Sequence, residues 1–362
     1  MEIRYNLKPS SERRNSEFKP ENTLAFGKLR TDHMFVMEYE EGEWINPRII
    51  PYSDFSLSPG ATVLHYAQSV FEGAKAFMHD DGEIYTFRLD KNAKRMNKSA
   101  EVLCMPEIPE DMQIEAVHSL IDTDRLWFPL QEGASLYIRP FLFGVQDSLG
   151  VFPSNKYIFS VILSPSGAYY PKGFDSPIKL LITKKFHRAV PGGTGHVKAA
   201  GNYAASLQAG EYAYKNGASQ VLYLDHTNTY IDEAGSMNHF HITRDDTVVI
   251  PEFTDTVLRS ITSESVIELK DRLKLDILQK RVKADDFIAE VRNGDIKEAG
   301  GFGTAAVVSA VGEYLLEDGD TLTVGNGEVG EITKYIYDLY TGIQTGKYEA
   351  PKGWLQKVER NI

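Results

Sequence analysis

The stretch that most constrains this chain is Arg188-Ala-Val-Pro-Gly-Gly-Thr-Gly-His-Val-Lys-Ala-Ala-Gly-Asn-Tyr203. A single lysine, Lys198, has Gly192, Gly193 and Gly195 before it and Ala199, Ala200 and Gly201 after it. Small neighbours let backbone come close to a flat group and leave room for a ring. Two readings follow. The run is a flexible, glycine-rich loop with a solvated lysine, or the fold builds a walled space in which Lys198 works. Tyr203, a little further on, offers a phenol to the same space.

The chain has 362 residues, more than one core usually serves, so two domains are expected. Hydrophobic residues make up 42% and charged residues 25%, as in ordinary globular proteins. A formal net charge of -12 argues against nucleic acid or an anionic membrane surface as partner. The only cysteine, Cys104, permits no intrachain disulfide and favours a reducing, cytoplasmic setting. Its context, Ala-Glu-Val-Leu-Cys-Met-Pro, reads as a small core residue. No run of about 18 apolar residues appears, so no membrane span is expected.

Patterning places strands at residues 23–26, 34–39, 73–77, 84–87, 135–143 and 157–163, and helices at 63–71, 90–103 (capped by Asp90) and 111–126. Residues 164–177 hold Pro165, Gly167, Pro171, Gly173 and Pro177 and form the best linker candidate. Beyond it come strands at 178–183, 220–224, 229–233, 236–243, 248–251 and 307–311. Helices are expected at 202–216, 262–274, 285–293 and 328–345, and a second glycine-rich turn at 299–306. Strands and helices mix without strict alternation, which makes the class α+β. The domains expected are a smaller one over 1–170, a linker at 171–179 and a larger one over 180–362.

The chemistry that suits an amine in such surroundings is a Schiff base between Lys198 and pyridoxal phosphate. That cofactor needs a carboxylate at its pyridine nitrogen, an anion site for its phosphate and a donor at its phenolic oxygen. Glu233, followed by Ala234, Gly235 and Ser236, is the carboxylate candidate; the alternative is a strand-end acid in solvent. Ser260-Ile-Thr-Ser263 opens a helix, and helix N-termini present free N–H groups to anions. Gly301-Phe-Gly-Thr-Ala305 offers more amides and the Thr304 hydroxyl, and Arg95 a fixed positive charge. The Gly301–Ala306 run lies too near the C-terminus for a dinucleotide-binding half. His239 and His241 share one side of a strand, where ordinary packing is expected and no metal site.

Six pieces in order carry a resemblance: Phe26-Gly-Lys…Thr31-Asp-His-Met34, Tyr66…Val70-Phe-Glu-Gly-Ala-Lys-Ala-Phe77, Tyr137-Ile-Arg-Pro140, Gly195-His-Val-Lys-Ala-Ala-Gly-Asn-Tyr203, Glu233-Ala-Gly-Ser-Met-Asn238 and Gly303-Thr-Ala305. Nearly the whole chain resembles the branched-chain-amino-acid aminotransferases, pyridoxal-phosphate enzymes of fold type IV. The resemblance implies a two-domain fold with the cofactor between a smaller N-terminal and a larger cofactor-binding domain, and a homodimer. It implies reversible transamination between leucine, isoleucine or valine and 2-oxoglutarate. Lys198 matches the catalytic lysine, Tyr203 the partner of the phenolic oxygen and Glu233 the partner of the ring nitrogen. Arg95, Ile261, Thr262 and Thr304 match phosphate-binding positions. Thr304, Ala305, Tyr137 and Arg139 match the substrate-carboxylate end, and Phe26, Tyr66, Phe71, Tyr170 and Ser236 the side-chain pocket.

One departure is Ser260, where many relatives have glycine; a positive φ there would strain a serine. Two other readings stand beside the main one. A D-amino-acid aminotransferase or an aminodeoxychorismate lyase shares the lysine and the glutamate. A non-catalytic module binding a phosphorylated ligand shares the anion sites.

Overall fold

The computed structural model describes residues 1–14, 18–19, 24–131, 133–167 and 174–361. They form two compact units, one of Met1–Pro171, Lys198–Gly201 and Ile343–Ile362, the other of Lys172–Val197 and Asn202–Gly342.

The first unit is built on a largely antiparallel sheet of nine strands among the described residues. Its centre is the run His33–Glu40, Tyr157–Ser166, Ser135–Gly144 and Ala74–Met78, whose inward side chains join one core with Phe35, Ile138, Phe159 and Val161. Leu89–Val102 and Glu110–Thr123 are helices whose apolar sides enter the same core. Leu89–Val102 buries Leu89, Asn92, Ala93, Met96, Ser99 and Ala100, a stripe at helical spacing. Two of these, Asn92 and Ser99, are polar, and both reach the candidate site below. The C-terminal strand Leu355–Lys357 pairs with Ile84–Phe87, a placement that no sequence signal announces.

The second unit holds a mixed sheet, also of nine strands among the described residues. In order, Ile231–Ala234, Gln220–Leu224, Ile178–Thr183, Val307–Leu315, Ile296–Gly303 and Met237–Thr243 are neighbours, and the last pairs back to the first. Six strands therefore close a ring, which removes their edges. The ring is filled by aromatic side chains: Phe240 and Phe302 stack with centroids 4.2 Å apart.

Several expected elements take another form. Residues 299–306 are not a glycine-rich turn: Ile296–Gly303 is a strand, and only 304–306 turn. The glycines are there for packing. A Cβ on Gly300 would lie 2.5 Å from the Phe240 ring and 2.5 Å from the Ser309 carbonyl oxygen. Gly300→Ala is expected to destabilise the chain by about 1–3 kcal/mol through overpacking, read as a lower urea midpoint at unchanged m-value. The helix expected at 63–71 stops at Tyr66, because Ala67 turns left-handed (φ 50°) and Ser69–Phe71 pairs as a strand with residues 141–143. Asp90 does not cap its helix; the N-cap is Arg88 (φ 49°), and Asp90 lies in the first turn. The helices expected at 202–216 and 262–274 each break once, at Ser206 and Leu269. Leu24–Phe26 forms no strand, and Thr23 lies outside the described residues. Cys104 is exposed, at a left-handed position (φ 53°), and is not in the core. Among the described residues no helix is long and apolar enough to cross a membrane.

Candidate active site

Lys198 lies in the first unit, between a turn and the helix Ala200–Ala205. Its backbone is held on both sides. The amide donates to Ser99 Oγ at 2.9 Å, and the carbonyl accepts from the Phe71 amide at 3.2 Å. Ala199 bridges to Val70. The ammonium sits 4.9 Å from the centroid of the Phe71 ring. The residues leading into it are fixed too, since Asn202 Nδ2 donates to the carbonyls of Thr194 (2.7 Å) and Val197 (3.0 Å). This is an anchored segment, not a flexible loop. Its small residues divide by purpose. A Cβ on Gly195 would strike Ala189 and the backbone of Thr256, so that glycine serves packing, whereas Gly201 faces open space.

Beside Phe71, Glu72 is buried at 1% exposure and grips Arg95 in a fork, accepting from Nε at 2.7 Å and Nη2 at 2.8 Å. Asn92 Nδ2 donates to the same carboxylate at 2.8 Å. Burial alone would raise Glu72; the charge and hydrogen bonds of Arg95, with Lys198 and Asn92, overrule it and hold the carboxyl below its ordinary range. A depressed folded-state pKa means stability that is fully present above the unfolded value of 4.5 and is lost as pH falls through the folded value. The acid limb of stability against pH is therefore expected to be shallower in Glu72→Gln than in the parent, checked by urea titrations at a series of acid pH values.

On the neighbouring strand Ser135–Gly144, Arg139 Nη2 donates to the Tyr137 hydroxyl at 2.9 Å, and its guanidinium lies 4.8 Å from the Phe71 centroid. Arg139 Nε is buried and has no hydrogen-bond partner among the described residues. Gly73 leaves room for the Tyr137 phenol, which a Cβ would approach to 2.2 Å. Phe26 meets the Tyr137 ring edge-on at 4.8 Å. The first unit thus gathers Phe26, Phe71, Arg95, Tyr137, Arg139 and Lys198. Tyr66 is exposed, and its hydroxyl bonds to the Leu149 carbonyl rather than to a member of that group.

The second unit gathers the other set. Glu233, 2% exposed on strand Ile231–Ala234, pairs with Arg188 Nε at 2.6 Å. Its Oε1 also accepts from Asn238 Nδ2 and from the Leu258 amide, each at 3.0 Å. Asn238 then reaches the helix start: Oδ1 accepts from the Ser260 amide at 3.2 Å and from Ser263 Oγ at 2.9 Å. One network therefore ties the buried carboxylate to the N-terminus of helix Ile261–Glu268. Ser260 is extended (φ -77°, ψ 133°) and caps that helix, so serine brings no strain there. Helix geometry leaves the amides of Ile261 and Thr262 without intrahelical partners. Strand register sets Ser236 and the Thr304–Ala306 turn at the same end of the paired strands, since Asn238 lies opposite Phe302. Tyr203 is half-buried on helix Ala200–Ala205. Tyr170 lies outside the described residues.

The sequence does not single out Glu72, Asn92, Ser99, Arg188 or Asn238. Glu72, Arg188 and Asn238 lie inside recognisable motifs, but only the fold shows whom they bond. Among the described residues no group of three or more His, Cys, Asp or Glu side chains is placed to hold a metal ion. His239 and His241 pack against Phe287, with His239 Nε2 2.8 Å from the Tyr314 hydroxyl.

This arrangement has relatives. A family model described as amino-transferase class IV matches residues 69–308. Branched-chain-amino-acid aminotransferase 2 of Bacillus subtilis (strain 168) is 45% identical over 343 residues, covering 94% of this chain and 94% of its own. The crystal structure of the Escherichia coli branched-chain amino acid aminotransferase superposes with a TM-score of 0.75 at 26% identity, covering 91% of this chain and 99% of that one. A branched-chain amino acid aminotransferase of T.th., crystallised with pyridoxamine 5'-phosphate, does so at 0.73 and 27%, covering 89% and 98%. The chain is a class IV aminotransferase. Within that class it belongs to the branched-chain-amino-acid aminotransferase family.

Class IV aminotransferases use pyridoxal phosphate, and the residues here fit such a group. The first unit offers a pinned lysine, and the second a buried carboxylate and a capped helix start, which are the donor types such a group needs.

Proposed function

We propose that the chain catalyses reversible transamination between L-leucine, L-isoleucine or L-valine and 2-oxoglutarate, with pyridoxal phosphate held by Lys198. The observation that carries the reading is the network in which buried Glu233, paired with Arg188, is tied through Asn238 to the helix start at Ser260. Bound pyridoxal phosphate supplies an electron sink for the charge left when the substrate α-carbon loses its proton. Lys198 takes that proton and returns one on the reverse path. Glu233 faces the ring nitrogen and holds a proton there, and Arg188, 2.6 Å away, braces that carboxylate. Tyr203 donates toward the phenolic oxygen. Arg95, Thr304 and the amides of Ile261 and Thr262 hold the phosphate. Arg139, Tyr137 and the turn at Thr304 and Ala305 orient the substrate carboxylate. Phe26 and Phe71, with Tyr170 and Ser236, line the side-chain pocket, and Tyr66 serves the pocket of a second copy across a dimer interface. One methylene in such a pocket is worth only about 1–3 kcal/mol, so all three donors are accepted.

The full-length match to a branched-chain enzyme favours this reading over a D-amino-acid aminotransferase or an aminodeoxychorismate lyase. Protein mixed with pyridoxal phosphate and desalted is expected to keep an absorbance band at the violet edge of the visible range and to lose it on addition of L-leucine. A protein that retains no band, or whose band ignores all three amino acids, sinks the reading. The reading includes a homodimer, which covers exposed Leu64, Tyr66, Leu149, Val151 and Phe152. Light scattering at the mass of one chain contradicts that part.

A further inference from the structure

We infer that Ser99 is a positioning residue for the reaction proposed above: its hydroxyl fixes the spacing between Lys198 and Arg95 and thereby sets how tightly pyridoxal phosphate is held. The inference rests on the roles given there to Lys198, at the reacting carbon, and to Arg95, at the phosphate. The aldehyde carbon and the phosphate arm leave neighbouring positions of the cofactor ring, so a protein that holds both must keep its two anchors at one separation. Both anchors belong to the first unit, as do the residues that tie them together.

Ser99 has no exposed surface and stands inside the helix Leu89–Val102, where serine is ordinarily a poor choice because its hydroxyl competes for backbone. Here the hydroxyl is used twice. It donates to the Arg95 carbonyl one turn back at 2.9 Å and accepts from the Lys198 amide at 2.9 Å. The two roles cannot be exchanged, since an amide only donates and a carbonyl only accepts. One oxygen therefore joins the backbone at Lys198 to the backbone at Arg95. The circuit closes through Glu72. Arg95 donates to the Glu72 carboxylate from Nε at 2.7 Å and from Nη2 at 2.8 Å, and the adjoining Phe71 amide donates to the Lys198 carbonyl at 3.2 Å. Lys198 is thus held at its amide through Ser99 and at its carbonyl through Phe71, and both routes end on Arg95. Asn92 and Arg95, on the same side of the helix, serve Glu72, whereas Ser99 reaches the lysine segment. Removing the Ser99 hydroxyl opens the circuit at one point. Arg95 keeps its fork on Glu72 and the helix keeps its packing, but the lysine is no longer registered against the phosphate anchor.

The probe is pyridoxal phosphate, added to cofactor-free full-length chain and measured by equilibrium dialysis. Ser99→Ala is expected to weaken its binding by about tenfold, the scale of one hydrogen bond. In the Lys198→Ala chain the same change is expected to cost less than about twofold, because no lysine remains to be aimed. With cofactor saturating, Ser99→Ala should lower kcat for L-leucine by about tenfold and leave KM within about twofold, since the hydroxyl acts on the lysine and not on substrate binding. Ser160→Ala is the matched control. Ser160 is also fully buried, its hydroxyl donates to the Phe35 carbonyl at 2.7 Å, and it belongs to no candidate site, so cofactor affinity should stay within about twofold. Ser99→Cys offers only a weak donor and acceptor in a similar volume; it should lose affinity in the same direction, and it carries the test should Ser99→Ala fail to fold. The inference is overturned by parental affinity in either Ser99 variant, by an equal loss in the Lys198→Ala background, or by an equal loss in Ser160→Ala. Failure of the transamination reading looks different: the parent chain itself would then show no violet-edge band with pyridoxal phosphate and form no glutamate.

Discussion

Lys198→Ala is expected to lower the rate of transamination by about 10⁴-fold, the upper end of what a single positioned proton-transfer group contributes, because the same lysine also holds the cofactor. The structure makes this a clean test. What fixes the segment is backbone: the Lys198 amide on Ser99, its carbonyl on the Phe71 amide, and the Val197 carbonyl on Asn202. None of these bonds needs the lysine side chain. The variant loses the ammonium's contact with the Phe71 ring and its pull on Glu72, so its unfolding free energy should fall by only about 1 kcal/mol and the chain should remain folded. Retained turnover in a folded variant would show that another amine does the work.

Glu233→Ala should fail in two ways at once. The partner Arg188 is nearly buried, with 6% side-chain exposure, and losing one member of a buried pair strands the other's charge. The expected loss of stability is about 3–5 kcal/mol. The expected loss of rate is on the order of 10²-fold or more, the scale on which one preorganised electrostatic contact acts. The two effects can be separated. Replacing Arg188 and Glu233 together by apolar residues of similar volume removes the stranded charge, so most of the stability should return while the rate stays low. Chemical denaturation and initial rates on the three variants check this. Recovery of rate along with stability would show that Glu233 serves the fold alone.

Much of the candidate site was legible because the residues that compose it sit in compact motifs. The run around Lys198, the Glu233-Ala-Gly turn and the helix start at Ser260 each announce themselves through small residues or capping residues. What sequence could not supply is partnership across long separations. Arg188 and Glu233 are in different motifs, and only the closed ring of strands and the turn at Thr256–Leu258 join them. Glu72 reads as one acid among many until the fold seats it between Arg95 and Asn92. The secondary-structure misses share one cause, tertiary context overriding local pattern. Ser69–Phe71 has helical periodicity, yet pairs at the edge of Ser135–Gly144. Gly300, Gly301 and Gly303 read as a turn, yet they are strand residues whose missing side chains leave space for Phe240 and Met237. The doubt over Ser260 falls away for a local reason, since its φ is negative and its hydroxyl caps the helix.

The measurement that bears most directly on the central claim is a set of initial rates for the purified chain with pyridoxal phosphate and 2-oxoglutarate, run against a panel of amino donors. L-leucine, L-isoleucine and L-valine should all form glutamate, with kcat/KM values within about 200-fold of one another. D-leucine, L-aspartate and L-lysine should lie well below all three. Rates that favour D-leucine, or no glutamate from any branched-chain donor, would contradict the account.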